Sequence, residues 1–266
     1  MEVPLDVLKI IASYITKQKM KLLDWIDLGK LEWSMLSRNY NAIDLLEANQ
    51  DKIDWNELSG NPNAIHLLEA NPNKIDWSYL LFNYNAMHII EAHPDKFNLG
   101  FLSANPNAIH ILENDLDNVY WDFLSENPNA IKLLEANPNK IKWMFLSKNP
   151  NAIHLLEANP DKIDWEWLSC NPNAIHLLEA NPDKINWLYL SENPNAIHLL
   201  EANIKKIYWK HLSGNPNAIH ILKANQDKFS CYWSELSENP SIFEPDMILI
   251  NENILNKAIL LDKILN

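Results

Sequence analysis

Tryptophan returns every 22 residues through most of this chain: Trp33, Trp55 and Trp77, then Leu99 in the same phase, then Trp121, Trp143, Trp165, Trp187 and Trp209. The run Asn-Pro-Asn-Ala-Ile recurs intact at 61–65, 105–109, 127–131, 149–153, 171–175, 193–197 and 215–219, with looser versions at 39–43, 83–87 and 239–243. A fixed period of this length marks a repeat architecture, in which no copy buries its own apolar face and stacking the copies makes the core. The count is ten units, the last displaced two residues by an insertion around Cys231 and Tyr232.

The unit at 54–75 gives the local reading. Asp54 precedes Trp55-Asn56-Glu57-Leu58-Ser59, so its carboxylate can cap the first free amides, with Glu57 three residues on as in a capping box. Asn61-Pro62 then suits a helix start, because proline at the first helical position loses an N–H that has no intrahelical acceptor. A medium helix is predicted from Pro62 to Ala70, its apolar stripe made by Ala64, Ile65, Leu67 and Leu68. Asn71-Pro72 ends that helix and opens a tight turn through Asn73-Lys74 before Ile75 returns to the core. Helices this short are marginal alone in water, so neighbours must hold them.

With 22 Lys and Arg against 35 Asp and Glu, the formal charge is −13, which excludes a phosphate backbone as the main ligand. Cys170 and Cys231 are too few for a disulfide framework or thiolate metal site and read as free thiols. The start of the chain lacks the basic flank of a signal peptide, and no segment has the apolar run of a membrane span.

The unit Trp-x-x-Leu-Ser-x-Asn-Pro-Asn-Ala-Ile-His-Leu-Leu-Glu-Ala-Asn-Pro-Asp-Lys-Ile-Asp, over about residues 31–240, resembles a repeat family abundant in predicted proteins of giant DNA viruses. That resemblance implies a viral source and a place in host cytoplasm or virion, and it implies no established activity. In length and in its alternation of a medium with a short helix, the unit is also similar to α-solenoids of the leucine-rich-variant type. Leu99 for Trp, Tyr40 and Tyr84 for Pro, and the insertion near 231 depart from the pattern.

Candidate chemistry is repetitive. His66, His88, His110, His154, His176, His198 and His220 share one position, with Lys132 in the same place. Packed helices lie about 8–10 Å apart, too far for neighbouring imidazoles to complete a metal site without leaning together, so a structural row is expected. Ser59, His66 and Glu69 would suggest nucleophilic catalysis, but the trio returns in unit after unit, whereas catalysis needs one asymmetric pocket. The serine is expected to bond local backbone, and the asparagines to form caps and ladders.

Two residues after each Trp position stand Met35, Glu57, Tyr79, Phe101, Phe123, Phe145, Trp167, Tyr189 and His211. The six aromatic members, Tyr79, Phe101, Phe123, Phe145, Trp167 and Tyr189, are the candidate partner-binding residues, since aromatics dominate interface hot spots. The alternative is that these rings pack between adjacent short helices.

The sequence thus predicts one all-α, right-handed solenoid: a helical cap over 1–30, the repeats over 31–240, and a second helical cap over 241–266. The caps rest on amphipathic segments at 4–19 and 248–265. Ten units, each adding one helix-packing distance, would make a curved rod about 80–100 Å long. The expected function is a non-enzymatic scaffold binding a protein partner, with no cofactor, metal, nucleic acid or membrane. Two rivals stand beside it: a substrate adaptor for ubiquitin ligation, because residues 3–15 resemble the first helix of an F-box, and a virion component that self-associates end to end.

Overall fold

The structure, a computed structural model, describes residues 19–228 and 232–248. Among them, nineteen α-helices of four to six residues alternate in a regular pattern, with a 3₁₀ turn in most connectors. This is the all-α solenoid that the periodicity dictates.

In the unit at 54–75, Asp54 Oδ1 accepts from Asn56 N and Glu57 N and starts the first helix, Trp55–Ser59. The second helix begins at Ile65 and runs to Ala70. It is shorter than predicted because Asn61 does not cap it. Asn61 Oδ1 instead accepts from Asn63 N, which winds Pro62-Asn63 into a turn. Asn71 then opens the 3₁₀ turn Pro72–Lys74. Leu58, Ala64 and Leu68 are fully buried, as are their equivalents in unit after unit.

Two buried polar residues tie successive units. Ser59 Oγ donates to Trp55 O at 2.7 Å and accepts from Asp76 N of the next unit at 2.9 Å. Asn61 Nδ2 donates to Ser37 O at 2.9 Å and Asn39 O at 3.0 Å in the unit before. Both N–H donors and the oxygen of the buried Asn61 amide therefore have partners, which rigidifies the register. The ladder repeats at Asn83, Asn105, Asn127, Asn149, Asn171, Asn193, Asn215 and Asn239.

The ladder does not end there. Asn39 Nδ2, in the first unit, donates to Ser237 O at 2.9 Å and Asn239 O at 3.0 Å in the last. Glu32 N donates to Ser237 Oγ at 2.9 Å, as Asp54 N does to Ser37 Oγ at 3.0 Å. The helices Trp33–Arg38 and Trp233–Glu238 pack side by side like any two neighbours. The solenoid is a closed ring, and the rod expected from sequence is corrected accordingly. About 80–100 Å becomes the circumference, so the ring is about 25–32 Å across the axes of the first helices.

Closure works because the tenth unit is assembled from both ends of the described chain. Residues 233–242 supply its first helix and Asn-Pro turn. Residues 27–31 supply its connector: Asp27 caps the 3₁₀ turn Leu28–Lys30, and Lys30 Nζ lies 5.1 Å from the Trp233 ring. In place of a second helix stands an antiparallel clasp, β1 (Met20–Leu22) on β2 (Phe243–Pro245). Asp44, at the repeat's histidine position, holds it by accepting Met20 N at 3.0 Å.

Residues 19–30, expected within a helical cap, thus form a strand and a 3₁₀ turn. The amphipathic segments at 4–19 and 248–265, and the F-box likeness at 3–15, lie outside the described residues save Lys19 and Ile248. The first helices of adjacent units approach one another more closely than the second helices do, so they form the inner layer.

Candidate functional site

Leu58 and Ser59 face the core, so the second, third and sixth positions of each first helix are left on the ring's inner wall. These positions are not fixed by stacking, and they differ from unit to unit. Tyr79 (37% exposed) and Phe101 (46%) lie open on this wall, while Phe123, Phe145, Trp167 and Tyr189 are half-buried. None of the six belongs to the core.

The wall brings some of these rings together. Phe101 and Phe123 lie 6.2 Å apart between centroids, and Trp167 and Tyr189 5.0 Å. Sequence reading missed three further members. Phe82 (48% exposed) follows the Ser position, Tyr84 replaces a proline, and Tyr120 replaces a capping Asp. Tyr120 stands edge-on to Phe101 at 5.5 Å and joins Phe123 at 6.1 Å. Their signal was departure from the repeat at exposed positions, which is where a tiled chain becomes asymmetric. Together they make an aromatic arc over the third to fifth units.

The far side of the wall is charged. Arg38 Nε reaches Glu57 Oε2 at 3.7 Å and Glu238 Oε1 at 3.5 Å, Lys210 pairs with Glu235 at 3.3 Å, and His211 pairs with Glu192. Glu57 Oε2 is buried with no hydrogen-bond donor among the described residues. A hollow of about 610 Å³ opens here between the eighth unit and the first. Burial pushes the Tyr40 phenol up, and Tyr84 two units away adds to the shift, as expected where a concave wall turns side chains toward one another. Burial also pushes the Cys170 thiol up to about 11, so it stays protonated and unreactive at neutral pH.

Outside the wall, each histidine of the row meets a glutamate of the preceding unit. His66 Nε2 to Glu47 Oε1 is 2.6 Å, and His176 to Glu157 is 3.0 Å. The histidines are thus engaged in pairs, and no group of three or more His, Cys, Asp or Glu among the described residues is placed to hold a metal ion. Among the same residues no helix is long and apolar enough to cross a membrane. Compared with known protein families, curated proteins and solved structures, the chain finds no match in any of the three.

Proposed function

We propose that the ring is a protein-binding scaffold whose aromatic arc receives a segment of a partner. The observation that carries this reading is the arc itself: exposed rings gathered where the repeat leaves a position free or is departed from. Rings left in water lose the free energy that a covering partner would return, and contiguous exposed apolar surface marks interaction sites. The inner opening is on the order of 15–20 Å after allowing for helix thickness, which suits an extended strand or a single helix and excludes a folded domain.

Self-association end to end is the weaker alternative, because the closing contact occupies the stacking faces of both the first and the last unit. A viral setting rests on the resemblance of the repeat alone, and the adaptor reading on residues outside those described.

Matched baits test the proposal. Intact protein and a Phe82→Ala/Phe101→Ala variant, both shown to fold by circular dichroism, are used to capture partners. A protein retained by the first and lost by the second is then purified and titrated against each by calorimetry. Removing two exposed rings is expected to weaken binding at least about 10-fold, the loss of about 1.4 kcal/mol. Equal affinity for both baits would reject the arc as the binding surface.

A further inference from the structure

The connector side of the ring carries a second repeated device. Lys Nζ lies over a Trp ring of the same unit in the pairs Lys52–Trp33, Lys74–Trp55, Lys162–Trp143, Lys184–Trp165 and Lys206–Trp187, at 4.2 to 4.5 Å from the centroid. The fourth unit lacks both partners at once: Leu99 stands for the tryptophan and Asn118 for the lysine. Where other units hold an indole under a cation, this unit has an open groove of about 580 Å³. That volume lies in the range of ligand pockets.

The groove has apolar walls from Phe97, Leu99, Ile111 and Val119, with Asp117 and Tyr120 at its polar rim. Tyr120 is held in place by a local device. A Cβ at Gly100 would fall 2.5 Å from the Tyr120 ring, so only glycine lets the ring lie across this helix. The charge of the unit is one-sided as well. Residues 99–120 include Glu113, Asp115 and Asp117 and no Lys or Arg. The vacancy, its apolar walls and Asp117 at the rim, with no lysine at 118 beside it, complement the indole and cation that other units place there themselves.

We propose that this groove binds an aromatic side chain flanked by a cationic one, presented by a partner protein. The partner supplies from outside the Trp–Lys pair that the fourth unit omits. The inference rests on the protein-binding reading only in taking the donor to be a polypeptide. Because Tyr120 borders both surfaces, a segment seated on the aromatic arc can place such a pair in the groove.

The test uses full-length protein with labelled Leu, Ile and Val methyl groups and two probes, acetyl-Trp-Lys-amide and acetyl-Trp-Glu-amide. The lysine peptide is expected to shift the Leu99, Ile111 and Val119 methyls saturably, with affinity about 2–5-fold above that of the glutamate peptide, as one exposed charge pair allows. Leu99→Trp/Asn118→Lys, which restores the repeat, is expected to abolish those shifts. Asp117→Lys, an exposed change that keeps the groove, is expected to reverse the preference between probes. No shift in the intact protein, shifts that survive the double substitution in a folded variant, or an unaltered preference in Asp117→Lys would each overturn the proposal. Peptide binding here is read independently of the matched-bait capture, so either result can fail without the other.

Discussion

Asparagine does two different jobs within three positions of every unit but the tenth, where Ser241 takes the second place. Asn149 is fully buried and donates to Ser125 O and Asn127 O, while its Oδ1 accepts from Asn151 N. Asn151 is exposed and donates to Pro128 O. Truncating the first strands the Ser125 carbonyl and the Asn151 amide and leaves Asn127 O with Ala130 N alone; truncating the second returns one carbonyl to water. Asn149→Ala is expected to cost about 3–5 kcal/mol and Asn151→Ala about 1 kcal/mol or less, measured by urea denaturation. Similar costs for both would mean that the ladder does not govern stacking. The sequence disclosed that both positions are asparagine and that proline lies between them. It did not disclose the partner of each, because that partner is 22 or 24 residues away.

At the scale of elements, the helices were legible and their starting points less so. Asp54 as a cap, Leu58 and Leu68 as core, and a turn after Asn71 all follow from local chemistry. The second helix begins three residues later than Pro62 suggests, because Asn61 Oδ1 takes Asn63 N into a separate turn while its amide is drawn into the neighbouring unit, a preference no local rule contains. The clasp was illegible for a similar reason: Met20–Leu22 and Phe243–Pro245 are each only three residues long. A two-stranded ribbon is marginal in water, so the clasp depends on buried Ile242 and Phe243 beneath it. Phe243→Ala is expected to cost about 3–5 kcal/mol locally. Hydrogen exchange should accelerate at Met20, Leu23 and Asp246 and stay unchanged near Asn149, since solenoid units open separately. Uniform acceleration around the ring would show that the clasp and the units open as one.

For the whole molecule, the missing information was an angle. Ten units share a full turn at about 36° each, and this small rotation arises from how wedge-shaped units pack, not from any single residue. A sign of closure nonetheless lay in the sequence: Asp27-Leu28-Gly29-Lys30-Leu31-Glu32-Trp33 matches the end of a unit, and the last unit stops after Ile242 without one. The aromatic positions of the candidate site were likewise readable, but their exposure and their gathering into one arc required the ring. Closure predicts that the chain tolerates circular permutation. Joining the two sides of the clasp covalently and opening the exposed turn at Gln226–Asp227 should lower Tm by only about 2–4 °C. A permutant that fails to fold would argue that the ends do not meet.

Assembling the tenth unit from both ends of the described chain sets an order on biosynthesis. Ser237, which receives the amide of Glu32, leaves the ribosome some two hundred residues after it. Throughout that interval the nascent protein is an open arc, with the stacking faces of its first and latest units wet and adhesive, and two such arcs on one messenger could exchange their final units. The net charge of −13, which disfavours contact between like copies, is therefore of greatest use before the ring exists.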